Sequence, residues 1–207
     1  LWQAIIDPVG SDNCGGESSL QDCDKEVGNQ QASIISKFDF NIADVPVSLS
    51  LEFGGEDTGG FSNTSFSNQA YHYGLFFPYL FKNQSLNIEF TEFETAWYVH
   101  ALYKEGYSNK QHKMGHWWGD NKHPSDGQGG YTGNIKYSFD FDNAARLTLN
   151  YRTSKYDPSS FAEYSKINEY QLTYSQAIDK NFVDLDIYLG TNAFDKDFLQ
   201  TTITYRW

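Results

Sequence analysis

The sequence predicts an all-β protein, an antiparallel up-and-down β-barrel that spans a membrane with its strands. Apolar and polar residues alternate with a period of two along about ten segments of the chain. The connections between these segments alternate between long and short, which is typical of membrane barrels. The chain also ends on an aromatic residue, Trp207, with Tyr205 two positions before it. Together these three observations favour a membrane barrel over other all-β folds.

Ten predicted strands cover residues 1–207, which we take as a single barrel domain or the carboxy-terminal part of one. The alternation is clearest late in the chain, where Val183, Leu185 and Ile187 are interleaved with polar residues. The predicted strands are Leu1–Asp7, Gln31–Ile42, Val45–Phe53, Tyr71–Phe81, Ser85–Trp97, Tyr131–Phe141, Ala145–Arg152, Asn168–Gln176, Phe182–Leu189 and Phe198–Trp207.

The connections predict which end of the sheet faces which compartment. Short turns such as Ala43–Asp44 and Lys82–Gln84 alternate with long connections, of which Tyr98–Gly130 is the longest. In a meander, all long connections then lie at one end of the sheet, and all short turns lie at the other end with the carboxy terminus. Bacterial outer-membrane barrels have long extracellular loops and short periplasmic turns. A soluble β-sandwich or jelly roll gives the same alternation but does not explain this asymmetry.

The last strand carries a predicted structural site. Tyr205 and Trp207 fall on the apolar side of the alternation, where both rings would lie at the periplasmic interface of the membrane. Bacterial outer-membrane proteins end their closing strand in this way, so we expect these two residues to complete the barrel. The predicted partners are therefore outer-membrane lipid and the barrel assembly machinery, in the bacterial outer membrane.

The net charge and the cysteines indicate which class of partner is excluded and which compartment the protein occupies. The formal net charge is -12, from 27 Asp and Glu against 15 Lys and Arg, which argues against nucleic acid as a partner. Cys14 and Cys23 lie in a polar loop and predict one disulfide in an oxidising compartment. A metal pair is the weaker alternative, because no His lies near them in the sequence.

The Tyr98–Gly130 connection is the predicted binding site. It contains an adjacent pair of tryptophans among lysines and histidines, although no strong secondary structure is predicted for it. Tryptophan rings stack on sugar rings, polar groups fix the hydroxyls, and lysines attract acidic glycans. The predicted glycan-binding residues are Tyr107, Lys110, Lys113, His116, Trp117, Trp118 and Asp120. Alternatively, the two tryptophans belong to the aromatic belt of the membrane or plug the lumen.

Metal binding and catalysis find little support in the sequence. His112 and His116 are four residues apart, which brings two ligands together only on a helix, and Gly115 between them does not favour one. The acidic and Ser residues have no identifiable base or orienting partner. We therefore predict no metal, no cofactor and no catalytic residue.

The run "EGYSNKQHKMGHWWGDN" resembles the Wzi-type capsule assembly proteins of Gram-negative outer membranes, with Gly106–Tyr107 and Gly115–His116 as the matching pairs. The opening "LWQAIID" is similar to a strand of that family. The resemblance implies a non-enzymatic, eighteen-stranded outer-membrane lectin that helps attach capsular polysaccharide to the cell surface. Family members are about twice as long, so we expect a carboxy-terminal part; the alternative is an independent ten-stranded relative.

Two other functions compete with the lectin. One is an outer-membrane hydrolase, a protease or lipase with active residues at the outer rim. The other is a channel whose polar lumen would be lined by Lys136, Arg146, Arg152, Asp184, Asp186 and Arg206.

Overall fold

The computed structural model describes residues 31–58, 66–94, 108–109, 112–113, 128–158 and 163–207. Within them the chain forms the strands β1 (Gln31–Ile42), β2 (Val45–Thr58), β3 (Phe66–Phe81), β4 (Gln84–Phe93), β5 (Ser108–Asn109), β6 (His112–Lys113), β7 (Gly130–Asp140), β8 (Ala145–Tyr156), β9 (Ile167–Ile178), β10 (Asn181–Thr191) and β11 (Asp197–Arg206). The first predicted strand, Leu1–Asp7, and the predicted Cys14–Cys23 disulfide lie outside the described residues.

Nine of these strands form one antiparallel sheet in the order β1-β2-β3-β4-β7-β8-β9-β10-β11. Each strand of this sheet pairs with the next strand of the sheet along the chain, β4 with β7 included, so the predicted all-β, up-and-down meander is confirmed. β5 and β6 pair only with each other, as a small hairpin inside the connection from β4 to β7. The sequence predicts no strong secondary structure for this connection, and the pairing described in it is limited to these four residues.

The strand ends differ from prediction mainly at the long connections. β2 continues to Thr58 rather than stopping at Phe53, because Gly54 and Gly55 still pair with β3. β4 ends at Phe93, short of the predicted Trp97. β11 ends at Arg206, which pairs with Phe182 near the start of β10, so Trp207 lies one residue beyond the ladder.

The predicted alternation of connections is confirmed for the described part of the chain. The turns after β1, β3, β7 and β9 are short and lie at one end of the sheet. The carboxy terminus lies at the same end, because Arg206 pairs with Phe182, directly after the β9–β10 turn. We call this the turn end, and the opposite end the loop end.

β1 and β11 are the two edges of the sheet, so the sheet is open among the described residues. A meander of nine strands leaves its first and last strands pointing in the same direction, and an antiparallel barrel needs an even number to close. The closing role predicted for Tyr205 and Trp207, whose ring centroids are 6.0 Å apart on the edge strand, therefore stays a prediction.

Within the described ranges, the chain forms no helix of the length and apolar character needed to cross a membrane.

The β1–β2 turn offers a test of local stability. Ala43 and Asp44 have φ values of 46° and 66°, as a two-residue type I′ hairpin requires. Ala is unfavourable at a positive φ, and Gly is preferred over Asp at the second position, so replacing Ala43–Asp44 by Asn-Gly should stabilise the protein by about 1 kcal/mol. Urea unfolding of the refolded barrel measures the change. The same replacement at Lys82–Asn83, where neither φ is positive, should give no gain.

Candidate functional site on the inner face of the sheet

One face of the sheet is apolar and exposed even in its central strands. Ile135, Leu149 and Tyr170 lie on this outer face in β7, β8 and β9, and their exposed fractions are 46%, 48% and 50%. Central-strand positions of a soluble sandwich would be covered by a second sheet. Among the described residues no second layer covers this face, and the large exposed apolar area marks it as a surface for a nonpolar environment.

The opposite, inner face is polar, and part of it is buried. Thr132, Ser138, Ser154 and Glu169 alternate with the outer-face residues of the same strands, and all four are buried. In a soluble β-sandwich, the inner face of each sheet is apolar and the outer face is polar. In this sheet the inner face is polar and the outer face is apolar, as in a membrane barrel. The arrangement contradicts the soluble alternative and agrees with a wall that faces a lumen.

The inner face encloses one large recess, which we call the central recess. Its volume is about 950 Å³, and residues from seven neighbouring strands, β1 to β4 and β7 to β9, line it. Seven strands can border one recess only if the sheet curves around it, with the inner face concave. Small residues on one side, including Ala32, Gly54 and Ala70, leave room for the long polar side chains on the other.

A charged cluster lies beside the recess, between β8, β9 and β10. Arg152 donates from Nε to Glu169 Oε2 at 2.5 Å and from Nη2 to the Tyr188 hydroxyl at 3.1 Å. The Tyr188 hydroxyl in turn donates to Glu169 Oε1. The Glu169 side chain is only 6% exposed and that of Arg152 25%. Each buried charge is therefore paired, as the low dielectric of the interior requires.

Other carboxylates of the inner face are bound by neutral groups. Asn134 donates to Glu89 at 3.2 Å. Asp186 Oδ1 accepts from Gln171 at 2.8 Å and from Thr173 at 2.6 Å. Asn150 lies between these groups, and its Oδ1 is the buried side-chain atom that has no hydrogen-bond partner in the described part of the chain.

At the turn end, the charged side chains of the inner face are exposed, with the exception of Asp184. Arg146 makes a bidentate pair with Asp140, at 2.5 and 3.0 Å, and Arg206 binds Asp184 and stands 5.3 Å over the Phe182 ring. The six residues predicted to line the polar lumen share the inner face: Lys136, Arg146, Arg152, Asp184, Asp186 and Arg206.

An apolar cluster lies at the loop end of the sheet. Ala70, Phe93, Tyr156, Ile167 and Ala193 are buried together, and Tyr164 packs against them. Tyr164 lies 4.8 Å from Tyr156 between ring centroids. Apolar packing is therefore concentrated near the long connections, closer to the loop end than the polar part of the inner face.

Most of the predicted glycan-binding residues lie outside the described residues: Tyr107, Lys110, His116, Trp117, Trp118 and Asp120. Lys113 is described as part of β6, and its pairing with Ser108 places it on the β5–β6 hairpin. These residues remain predictions. No group of three or more His, Cys, Asp or Glu side chains is placed to hold a metal ion in the described ranges.

The sequence prediction missed Glu89, Asn134, Asn150, Glu169 and Gln171, which shape the inner face. Each one occupies a polar position of an alternating strand, so the alternation itself assigns them to this face. Their proximity was not predictable, because it depends on the register between strands.

Comparisons with known proteins agree with this architecture. A solved structure of Wzi from Escherichia coli, described as an outer membrane protein involved in group 1 capsule assembly and as a carbohydrate-binding β-barrel, superposes with a TM-score of 0.59. The identity is 19%, and the match covers 93% of this chain and 44% of that one. This chain therefore spans less than half the length of that protein, and its nine-stranded sheet has the fold of that barrel. No curated protein sequence matches the chain.

The family model described as capsule assembly protein Wzi matches residues 2–202, which is nearly the whole chain. With its open β-meander, polar inner face and apolar outer face, the chain belongs to the Wzi capsule assembly protein family.

Proposed function

We propose that this chain forms the wall of an outer-membrane barrel that binds polysaccharide at the cell surface and assists capsule assembly without catalysing a reaction. The observation that supports the proposal is the polarity of the sheet, which is polar on its inner face and apolar on its outer face. Lipid would cover the exposed outer face around Ile135, Leu149 and Tyr170, and the polar inner face would line the lumen. The similar Escherichia coli protein is a carbohydrate-binding barrel, which supports the same role here.

The orientation follows from the two ends of the sheet. The loop end would face the outside of the cell, and the turn end, with Trp207, would face the periplasm. Tyr205 and Trp207 would then lie at the inner interface of the membrane, where aromatic side chains are favoured. Folding from the periplasm would need the barrel assembly machinery as a partner.

The connection between β4 and β7 would supply the outer part of the glycan site. The proposed contacts are the residues predicted from the sequence: Tyr107, Lys110, Lys113, His116, Trp117, Trp118 and Asp120. The connection leaves the sheet at the loop end, between Phe93 and Gly130, and both of these residues are buried at the rim of the inner face. A polymer held there would lie directly outside the lumen.

Replacing Trp117 by Ala tests this function. Loss of a stacked aromatic ring should weaken polysaccharide binding by roughly ten- to a hundredfold, because such contacts contribute a few kcal/mol. Retention of surface polysaccharide by cells reports binding. A heat-dependent shift of the full-length protein in detergent gels reports folding, because a closed barrel keeps its ladder hydrogen bonds until it is boiled.

Trp207→Asn is the matched control, because this tryptophan lies at the opposite end of the barrel. It should reduce the amount of assembled barrel and leave the affinity of each folded molecule unchanged. Normal polysaccharide retention by folded Trp117→Ala protein would contradict the role of the loop. Ready solubility of a compact monomer without detergent would contradict the membrane barrel itself.

A channel is the second candidate, and the placement of six charged residues on the inner face favours it. Three of these residues are held in ion pairs by partners on the same face: Arg146 by Asp140, Arg152 by Glu169, and Arg206 by Asp184. Planar-bilayer conductance of the full-length protein distinguishes the channel from the lectin.

A further inference from the structure

The central recess contains a row of polar side chains that the proposed glycan site at the loop end does not use. Asn87, Lys136, Asn150 and Gln171 lie directly opposite one another on β4, β7, β8 and β9. Neighbouring strands are roughly 4.8 Å apart, so the row extends for about 14 Å along the wall. All four residues line the recess.

The row faces open space because the neighbouring strands carry small residues. Gly54 and Ala70 line the recess on β2 and β3. Gly74 lies on the same face of β3 and pairs with Glu89, which also lines the recess. A Cβ atom at Gly74 would lie 2.3 Å from Ser50 Oγ, so this glycine keeps the wall thin beside Glu89. The volume of about 950 Å³ is within the range of small-molecule binding sites.

The groups of the row are suited to a ligand that both donates and accepts hydrogen bonds. The Lys136 ammonium forms no ion pair among the described residues, and Asn150 Oδ1 has no donor there. Asn134 and Gln171 are oriented by Glu89 and Asp186, which fixes their amide groups. Sugar hydroxyl groups both donate and accept hydrogen bonds. They can therefore bind to the positioned amide groups and to the single ammonium group of this site.

The recess differs from the glycan site proposed in the loop in the net charge of its lining. Glu52 and Glu89 contribute two negative charges to its lining, and Lys136 and Arg152 contribute two positive ones. The lining is therefore neutral overall, and Arg152 is already bound by Glu169. A lining without net charge does not attract a polyanion electrostatically. A neutral, hydroxyl-rich molecule binds through hydrogen bonds and needs no such attraction.

We infer that the central recess is a second carbohydrate site, which binds a neutral, hydroxyl-rich sugar segment through the row Asn87–Lys136–Asn150–Gln171. The inference rests on the proposed function, and it assigns to the lumen wall a sugar class different from the acidic glycans expected at the loop lysines. Binding in the recess depends on short-range hydrogen bonds, so it is insensitive to salt between about 0.05 and 0.5 M, whereas attraction by Lys110 and Lys113 is screened.

The test is a bacterial glycan array probed with the full-length protein in detergent. Gly74→Gln adds a long side chain to the inner face beside Glu89, which lines the recess, and Ser50 can rotate away from it because only its hydroxyl is in the way. Lys136→Met removes the ammonium and breaks no ion pair described here. Each variant should lower binding to neutral glycans at least tenfold, while binding to acidic glycans stays at the level of the unmodified protein.

Thr204→Gln is the matched control, because Thr204 is an exposed inner-face residue of β11 outside the recess. It should bind neutral glycans normally. Unchanged neutral binding in folded Gly74→Gln and Lys136→Met proteins, or binding of acidic glycans alone, would overturn the inference and leave the proposed function standing. An unmodified protein that binds no glycan at all would overturn both.

Discussion

Replacement of Glu169 by Ala should destabilise the protein by about 3 kcal/mol, because it leaves the Arg152 guanidinium partly buried without its carboxylate. The Glu169 side chain is 6% exposed and accepts from both Arg152 and Tyr188. The Tyr188 hydroxyl can still accept from Arg152, but it carries no charge to compensate the cation. Urea unfolding of the refolded, full-length barrel in lipid measures the loss.

The Arg146–Asp140 pair provides a matched control on the same face of the sheet. It joins an arginine of β8 to a carboxylate of a neighbouring strand at the same distance of 2.5 Å, but its side chains are 59% and 50% exposed. Water can solvate Arg146 after the carboxylate is removed, so Asp140→Ala should cost less than about 1 kcal/mol. Equal losses in the two variants would show that burial does not decide the strength of these pairs.

The second large effect is expected at Gly190, near the loop end of β10, where it pairs with Glu169 of β9 and Phe198 of β11. A Cβ atom there would lie 2.2 Å from the Asn168 carbonyl oxygen and 2.9 Å from the Glu169 Cα. Both atoms belong to the backbone of β9, so the clash cannot be relieved by a side-chain rotation. Gly190→Ala should therefore cost about 3 kcal/mol, at the upper end of overpacking effects, and should lower the yield of folded barrel.

Gly133→Ala is the control, because it adds the same methyl group to a central strand without a clash. Its Cβ would lie 3.7 Å from Thr153 Cγ2, which is an ordinary contact. Alanine also restricts the unfolded chain more than glycine does, so this variant should be neutral or gain up to about 1 kcal/mol. Comparable urea midpoints for Gly190→Ala and Gly133→Ala would refute the close approach of β10 to β9.

The local pattern of the sequence determined the strands and their faces. In β7 to β11 the predicted bounds differ from the observed ones by at most four residues, at the end of β8. A strand has a period of two, so the alternation assigns Ile135 and Leu149 to one face and Lys136 and Arg152 to the other without further information. The lengths of the connections likewise determined which ends of the strands share one end of the sheet.

Tertiary structure alone decided which polar residues meet. Glu169 binds Arg152 and Tyr188, which are far from it in the sequence and lie on the strands to either side of β9. Such contacts depend on the register between strands, which backbone hydrogen bonding and packing set over the whole sheet. A shift of β9 by one residue would move Glu169 to the apolar face and away from Arg152 and Tyr188.

The central recess also follows from tertiary structure. Gly54 is only one of the 17 glycines of the chain, and nothing in its sequence neighbourhood marks it as different from the others. It lines a recess because the sheet curves and brings seven strands around one space. The sequence by itself therefore determined the family, the β-meander and its two faces, since these depend on neighbouring residues. The ion pairs and the recess depend on residues far apart in the chain, and only the folded sheet brings them together.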